Sequence, residues 1–225
     1  MRKPIVAIDG PAGSGKSTVA RGIADRLGYL YIDTGAMYRA IAWCVIRAGV
    51  PISDQNAVVA LALKTEVTLE MVDGEQHVFA DGEDLSTAIR TPEATHASSP
   101  VSAIPGVRKR LVELQRKMAS DGGVVMEGRD IGTVVFPDAE VKVYLTASAG
   151  ERARRRVEQM KEMGVEADIE KTASEMRERD LRDSSRATAP LQQAPDAVLV
   201  DTDGMTIEQV IDAIVEIHGR KKIRD

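Results

Sequence analysis

Apolar residues recur with two periods along the chain, and the alternation between the two predicts its order of strands and helices. Short apolar runs bounded by polar or glycine residues are typical of buried strands. Five such runs occur, at about 4–8, at LYID (30–33), at VVMEG (124–128), at VKVYLTA (141–147) and at AVLVDT (197–202). The apolar positions Val19, Ile23 and Leu27 have instead the spacing of one helix face.

Helices are predicted between these strands. The first covers about 15–27 and ends before Gly28, the second is AMYRAIAWCVIRAG and ends at Gly49, and the third is SDQNAVVALALKT with Ser53 or Asp54 as its cap. A fourth helix is predicted over 101–120, and two charged helical segments lie within 149–184 and break near Gly164. The last covers 207–218 and begins after Thr206. Strands that alternate with helices predict an α/β fold. We therefore expect a doubly wound, mostly parallel five-stranded sheet with helices on both faces.

Residues 66–85 have a different pattern. EVTLEMV and EQHVFADG alternate apolar and polar positions on either side of Asp73-Gly74, a dipeptide that favours tight hairpin turns. A small antiparallel insert is therefore expected between helices.

Composition limits the classes of protein that fit this pattern. The chain has 225 residues, 43% hydrophobic and 29% charged, and no apolar run reaches the length of a membrane span or forms a signal peptide. Cys44 is the only cysteine, so an internal disulfide is impossible and a reducing cytoplasm is expected. A net charge of -5 and 3% aromatic residues argue against a nucleic-acid binder. We expect a cytoplasmic monomer with no membrane or nucleic-acid partner.

The most informative segment, GPAGSGKS at 10–17, follows the first strand. Glycines let the chain wrap around a phosphate, with backbone N–H groups pointing at its oxygens. Lys16 can reach the β- and γ-phosphates, and the helix N-terminus adds a positive end. We therefore predict a P-loop that binds ATP through Gly10, Pro11, Ala12, Gly13, Ser14, Gly15, Lys16, Ser17 and Thr18.

The same motif predicts a place for Mg²⁺, which accompanies ATP as the phosphoryl donor. The hydroxyl of Ser17 is the expected protein ligand of the ion. Asp9 and Asp33 are both candidates for a supporting carboxylate, and the sequence does not choose between them.

A second anion site is predicted at the carboxyl ends of the other strands, where such sheets bind ligands. Thr34 follows the second strand and Arg39 lies in the next helix, while Arg129 follows a strand expected to be buried. Thr34 could instead serve only to cap its helix. A buried arginine must meet an anion, and for Arg129 this is either a ligand phosphate or an internal carboxylate, Asp33 or Asp130.

Arginines also dominate ERDLRDSSRA. Arg179, Arg182, Asp183 and Arg186 stand at i, i+3, i+4 and i+7 of a helix and so share one face. This excess of positive charge favours an arm that closes on phosphates, although a solvated helix face is the alternative. Arg152, Arg155 and Arg156 form a weaker cluster that we expect to be mostly solvated.

Several segments together resemble one known family. GPAGSGKS, DTGAMYRA, IRTPE…ASSPVSAIPGVR, EGRDIGTVVFPDA and ERDLRDSSRATAPL are similar, in order and spacing, to bacterial-type cytidylate kinases, which are P-loop nucleoside monophosphate kinases. The resemblance implies transfer of the γ-phosphoryl group of ATP to CMP or dCMP, in pyrimidine nucleotide metabolism. It also implies a single kinase unit over 1–225: a core (1–65, 101–148, 187–225), a CMP-binding insert (66–100) and an arginine-rich helical lid (149–186).

The resemblance assigns residue roles by motif position. Thr34, Arg39, Arg129 and Arg186 would contact the CMP phosphate or the transferred phosphoryl group, Ser99, Arg108 and Asp130 would face cytosine, and Arg179 and Asp183 would face the ribose. The implied catalytic residues are Lys16, Arg129, Arg179 and Arg186. Thr34 stands where relatives often have serine, which keeps the hydroxyl.

Other functions remain open at this point. A P-loop kinase for UMP or shikimate would differ at the acceptor-reading positions, which are Ser99, Arg108 and Asp130 in this chain. A regulatory P-loop switch would need a guanine-reading motif such as N-K-x-D, which the chain lacks. A nucleotide-binding module without turnover would bind ATP and release no ADP when CMP is added.

Overall fold

The computed structural model describes residues 2–162 and 164–222, which cluster into two compact units. Unit 1 comprises Met1–Tyr31 and Asp121–Asp225, and unit 2 comprises Ile32–Ser120. Each unit has its own hydrophobic core.

The strands and helices, numbered in chain order, have the following bounds. The strands are β1 (Lys3–Asp9), β2 (Leu30–Asp33), β3 (Val67–Val72), β4 (Glu75–Ala80), β5 (Glu83–Asp84), β6 (Gly122–Gly128), β7 (Val141–Thr146) and β8 (Val198–Asp201). The helices are α1 (Lys16–Leu27), α2 (Thr34–Arg47), α3 (Gln55–Lys64), α4 (Pro92–Ala103), α5 (Pro105–Met118), α6 (Ala149–Glu162), α7 (Ile169–Ser184) and α8 (Ile207–Lys222). Within the described part of the chain, none of them is both long enough and apolar enough to cross a lipid bilayer.

The main sheet confirms the predicted five strands and has the order β2-β6-β1-β7-β8. β1 is its central strand and pairs in parallel with β6 and with β7, while β7 pairs in parallel with β8. Apolar side chains of the central strands, such as Ile8 and Leu145, pack with Ile23 of α1 and Ile214 of α8. This arrangement brings the carboxyl ends of β1 and β6 side by side, with Asp9 next to Gly128.

Unit 2 consists largely of α2 to α5 and a small antiparallel sheet. β3 and β4 form the predicted hairpin, and β5 adds a short third strand. Asp73 and Gly74 both have positive φ values, 51° and 83°, as the tight hairpin turn requires. Met37 and Ile41 of α2 pack with Val101 and Leu111 in the core of this unit, which also includes Cys44.

Predicted helix ends are confirmed where a cap was identified. Gly28 ends α1 with a left-handed φ of 61°, and the Asp54 carboxylate accepts the Ala57 N–H at the start of α3. Before α8, Thr206 and Gln209 bond reciprocally, each side chain accepting the other's backbone N–H. Such a capping box satisfies two N–H groups that a helix start otherwise leaves unpaired.

The prediction of one helix over 101–120 was wrong. The chain forms two helices there, α4 and α5, which separate at Ile104 before Pro105. α4 begins much earlier, at Pro92, where the Thr91 hydroxyl accepts the Ala94 N–H. The sequence PEATHASSPVSA has weak helix formers and an internal proline. Its burial against α2 in the core, which local composition does not reveal, stabilises the helix instead.

The two units also differ from the division expected from the resemblance. Residues 32–65 and 101–120 cluster with the hairpin in unit 2, whereas residues 149–186 cluster with the main sheet in unit 1. The physical basis is the shared apolar core of α2, α4, α5 and the hairpin.

Candidate active site

The P-loop connects β1 to α1 at the carboxyl end of the central strand. Gly10 has no side chain because a Cβ there would lie 2.0 Å from the carbonyl oxygen of Leu145 in β7. Gly15 caps α1 in a left-handed conformation with φ 89°, which L residues adopt only with strain. These two glycines let the loop lie tightly against the sheet and turn into the start of α1.

Lys16 is buried and folds back over its own loop. Its ammonium nitrogen donates to the Pro11 carbonyl at 2.7 Å and to the Ser14 hydroxyl at 3.4 Å. The Ser14 hydroxyl itself donates to the same Pro11 carbonyl. The charge of Lys16 is therefore held within the loop, against the Pro11 carbonyl and the Ser14 hydroxyl.

The surroundings of Lys16 favour loss of its proton. Burial lowers the pKa of Lys16 to about 7, and the neighbouring positive charges of Arg129 and Arg179 lower the pKa further, while Glu127 and Asp9 oppose the shift. Cations concentrated in a buried place are unfavourable until an anion joins them. The electrostatics of this loop thus match a ligand with several negative charges.

Asp9 connects the end of β1 to the turn that follows β6. Its two carboxylate oxygens accept the backbone N–H groups of Ile131 and Gly132 at 2.8 and 2.7 Å. Burial raises the pKa of Asp9 to about 6, although these two hydrogen bonds act against the rise. Asp9 therefore holds the π-helical turn Ile131–Val135, which directly follows Arg129 and Asp130.

Arg129 meets a carboxylate that the sequence analysis had not considered for it. Its Nε donates to Asp183 of α7 at 3.0 Å, a third internal carboxylate beside the two candidates Asp33 and Asp130. Arg186 also lies at Asp183, with Nε donating to the Asp183 carbonyl at 3.1 Å. Arg179 lies close enough for its charge to act on Lys16.

The arginine face of α7 is narrower than the spacing suggested. Asp183 is buried and Arg179 and Arg186 are partly buried, whereas Arg182 is exposed. The expectation that all four residues stand on one helix was wrong for Arg186, because α7 ends at Ser184. A helix advances about 100° per residue, so Arg182 at the i+3 position lies at the edge of the stripe and can turn to solvent.

The arginines of α6 are more firmly held than expected. Arg152 pairs with Asp180 at 2.5 Å, and Arg155 pairs with Glu151 and donates to the Thr202 hydroxyl at 2.8 Å. Their side chains are only 11% and 25% exposed, so the prediction of mostly solvated residues was wrong for both. Thr202 follows β8, and this contact ties α6 to the far edge of the sheet.

In unit 2, Asp33 organises the start of α2. One carboxylate oxygen accepts the Ala36 N–H at 2.9 Å, and the other pairs with Arg39 at 3.0 Å. Asp33 is therefore the N-cap, and the alternative role of Thr34 as the cap was wrong. Thr34 is the first residue of the helix and is buried.

The base-reading candidates of unit 2 lie on α4 and α5. Arg108 is buried, donates to the Ser102 carbonyl at 3.2 Å, and its guanidinium lies 5.3 Å from the centre of the Tyr38 ring. The Ser102 hydroxyl donates to the carbonyl of Ser99. The unit thus brings Ser99, Arg108 and Tyr38 into one polar cluster.

The predicted residues fall into two sets, one in each unit. Unit 1 contains Lys16, Arg129, Asp130, Arg179, Asp183 and Arg186, and unit 2 contains Thr34, Arg39, Ser99 and Arg108. Sequence reasoning missed Tyr38, although it directly precedes Arg39 in the DTGAMYRA motif. It also missed Glu127, whose buried carboxylate accepts the Tyr31 hydroxyl at 2.7 Å, and Asp180.

The residues near the P-loop fit a Mg²⁺ ion that arrives with a triphosphate. Ser17 is exposed and directly follows Lys16 in the first turn of α1. Among the described residues, no three His, Cys, Asp or Glu side chains form a cluster suited to a metal. Both carboxylate oxygens of Asp9 and of Asp33 already accept other donors. Mg²⁺ commonly takes one or two protein ligands together with phosphate oxygens, and Ser17 suits that pattern.

Comparison with known proteins gives consistent results. The chain matches the family model described as cytidylate kinase over residues 6–220. It is 54% identical over 213 residues to the cytidylate kinase of Pelotomaculum thermopropionicum, with 94% of each chain covered. It is 50% identical over 220 residues to a bifunctional pantoate ligase/cytidylate kinase of Synechococcus sp. strain JA-3-3Ab, and this match covers 96% of the chain and 41% of that relative.

Among solved structures, the chain is similar to an uncharacterized protein from Eubacterium ventriosum. The TM-score is 0.52 at 13% identity, with 96% of this chain and 99% of the other covered. At that identity the likeness concerns the fold alone.

Proposed function

The chain belongs to the cytidylate kinase family of phosphotransferases, and on that premise we propose that it transfers the γ-phosphoryl group of ATP to CMP or dCMP. The products are ADP and CDP or dCDP. The observation that carries the proposal is the cluster of Lys16, Arg129 and Arg179, in which burial first and the two guanidinium charges second lower the pKa of Lys16. Such a cluster suits the charge that spreads over the phosphoryl oxygens during transfer. A cytoplasmic location, where nucleotides are abundant and thiols stay reduced, is part of the same proposal.

The chemistry needs no general base. A phosphate monoester has its second pKa near 6, so an oxygen of the CMP phosphate is already ionised at pH 7. That oxygen forms a bond to the γ-phosphorus of ATP while the bond between the γ-phosphorus and the β,γ-bridging oxygen breaks. Electrons of the broken bond remain on ADP. No proton has to be removed from the nucleophile.

The protein's part is then positioning and charge neutralisation. Lys16 would meet the β- and γ-phosphates, and Arg129, together with Arg186, would meet the CMP phosphate and the transferred group. Mg²⁺, held by Ser17 and the triphosphate, would neutralise the β- and γ-oxygens. Thr34 and Arg39 would contact the CMP phosphate. Once phosphate competes for Arg129, Asp183 is free to accept a ribose hydroxyl, with Arg179 beside it.

Selection of cytosine is proposed to depend on Ser99, Arg108 and Asp130. Cytosine offers an N4 amino group as donor and O2 and N3 as acceptors, which match a carboxylate and an arginine. Uracil has a carbonyl at position 4 and would place an acceptor against Asp130. An unmatched pair of buried acceptors is costly, so UMP should react poorly.

The direct test is an ADP-release assay with ATP, Mg²⁺ and each of CMP, dCMP, UMP, AMP and GMP. We expect rapid ADP release with CMP and dCMP, slow release with UMP and background release with the purines. A Lys16→Met variant serves as the blank for contaminating kinases. Faster release with any other acceptor, or ATP binding without any acceptor-dependent ADP release, would contradict the proposal.

A further inference from the structure

Helix α7 presents a second stripe beside its arginine face, and this stripe contacts the P-loop. Met176 and Asp180 stand at i and i+4 and so lie on the same side of the helix. Met176 is buried and Asp180 is partly buried. The proposed roles above use neither residue.

Asp180 and Arg152 together engage both polar backbone atoms of Ala12. One Asp180 oxygen accepts the Ala12 N–H at 3.4 Å, and the other pairs with Arg152 of α6 at 2.5 Å. Arg152 in turn donates to the Ala12 carbonyl at 3.1 Å and to the Ala147 carbonyl at 3.2 Å. The two side chains therefore link α6, α7, the end of β7 and the P-loop in one network.

An apolar contact lies next to this polar one. A Cβ at Gly13 would come within 2.7 Å of the Met176 side-chain methyl and 3.0 Å of the Arg152 carbonyl oxygen. Gly13 thus allows both helices to lie directly on the loop, with no room for a larger residue. Close packing of this kind adds dispersion and excludes water from the ion pair beside it.

The position of α7 brings like charges together. Lys16 faces Arg129 and Glu127 of β6 and its following turn, Asp9 of β1 and Arg179 of α7. Arg179 repels Lys16, so without a bound anion this repulsion tends to move α7 away. Favourable contacts elsewhere on α7 oppose it: the Arg129–Asp183 ion pair near the end of the helix, and Asp180 with Met176 at the P-loop itself.

We propose that Arg152, Met176 and Asp180 form a P-loop clasp that holds α7 against the loop and so places Arg179 beside Lys16. Asp180 and Arg152 are positioning residues in this view, since they touch the loop backbone rather than a reacting atom. The kinetic consequences rest on the proposed kinase function, whereas the structural consequence does not.

The first experiment needs no substrate. Hydrogen exchange is measured on the ligand-free full chain for native protein, Asp180→Ala, Arg152→Ala and the double variant. Glu178→Ala is the matched control, because it removes an exposed carboxylate from the same helix. We expect about tenfold faster exchange at 10–17 and 169–184 in each clasp variant, with little added in the double variant because both members act as one unit. If Asp180→Ala exchanged at the native rate in these two segments, the proposal would be overturned.

The second experiment separates positioning from general loss of structure. With folding verified by circular dichroism, Asp180→Ala should lower kcat/KM for ATP by about tenfold. Asp180→Asn should lower it less, because its oxygen can still accept the Ala12 N–H. Recovery of kcat/KM in Asp180→Asn relative to Asp180→Ala is therefore the readout that a merely structural role of Asp180 would not give.

The outcomes distinguish the clasp from the kinase assignment. If CMP were not the acceptor, native protein and every variant would fail alike with CMP while the exchange pattern persisted. A lowered kcat/KM in Asp180→Ala with exchange like that of native protein would mean that Asp180 acts elsewhere, and this would overturn the clasp. If Asp180→Ala did not fold, Arg152→Ala and Asp180→Asn would give the same comparison.

Discussion

The two units treat their buried charges differently. In unit 1, Lys16 lies near Arg129 and Arg179, and burial together with these two positive charges lowers the pKa of Lys16 to about 7 although Glu127 and Asp9 oppose the shift. In unit 2, Arg39 pairs with Asp33, and Arg108 is held by the Ser102 carbonyl and the Tyr38 ring. Unit 1 thus gathers several cations around one buried lysine, whereas in unit 2 Arg39 and Arg108 are held separately by partners of their own.

This difference suggests a division of labour. Clustered cations stabilise a ligand whose negative charge grows or spreads, which is the requirement of phosphoryl transfer. Individually satisfied polar groups instead select a ligand by the pattern of its donors and acceptors. We therefore expect substitutions at the charge cluster of unit 1 to change the rate, and substitutions at the polar cluster of unit 2 to change the choice of acceptor.

The largest effect is expected from Lys16→Met. Removing the ammonium group that meets the β- and γ-phosphates should lower kcat by about a thousandfold or more while the fold persists. Lys64→Met is the control, because it makes the same change at an exposed lysine of unit 2. The assay is ADP release, with circular dichroism to verify folding. Near-native turnover in folded Lys16→Met would remove the basis for the P-loop assignment.

Arg129→Ala should have the next largest effect. Loss of this cation should lower kcat by about a hundredfold with CMP, dCMP and UMP alike, since a phosphate contact is common to all acceptors. It also leaves the Asp183 carboxylate with one partner fewer, so the free energy of unfolding should fall. Arg154→Ala, which breaks only exposed ion pairs with Glu151 and Glu158, should change neither quantity. Acceptor-dependent losses in Arg129→Ala would argue against a phosphate role.

Arg108→Ala and Asp130→Ala should change acceptor choice. Each should raise the KM for CMP by a factor that corresponds to about 1–3 kcal/mol of lost binding free energy, and each should leave the KM for ATP nearly unchanged. The ratio of kcat/KM with CMP to kcat/KM with UMP should fall, because cytosine loses its matched partner. Steady-state kinetics with CMP, dCMP and UMP provide the measurement.

A competing account makes Asp130 a purely structural residue at the turn after β6. On that account Asp130→Ala would lower activity by the same factor with all three acceptors. Unchanged ratios among CMP, dCMP and UMP would therefore overturn the assignment of Asp130 to the base. Arg108→Ala tests base recognition independently of Asp130, because Arg108 lies in unit 2.

The smallest effect concerns stability and pH. The pKa of Lys16 is about 7 in the folded chain and near 10.5 when unfolded, so between these values the unfolded chain binds one more proton. The free energy of unfolding should then rise with pH across this window, by up to about 1 kcal/mol per pH unit. Lys16→Met should remove this rise in the ligand-free chain. Urea denaturation between pH 7 and 9 measures it.

Arg39→Met is the matched control for this last prediction. It removes a positive charge from unit 2, but arginine stays protonated throughout the range and contributes no such slope. An equal slope in native protein and in Lys16→Met would show that the cation cluster does not govern the proton affinity of Lys16.

Local patterns in the sequence determined much of the fold. The apolar runs identified the five strands of the main sheet, and Gly28, Asp54 and Thr206 marked helix ends because a cap acts within a few residues of itself. The role of the P-loop glycines could likewise be predicted from the sequence, since the backbone conformation they permit is a local property. The local sequence did not predict α4, because its residues are weak helix formers and packing in the core stabilises the helix.

Only the tertiary structure decided which charges meet. Asp183 reaches Arg129 from 54 positions away, and Asp9 holds N–H groups more than 120 positions away. These pairs follow from the strand order β2-β6-β1-β7-β8, which places β6 beside β1 and is encoded in no periodicity of the chain. For the same reason Arg152 looked solvated in sequence: its burial depends on Asp180 and Ala12, which lie on other elements and reach it only when the chain has folded.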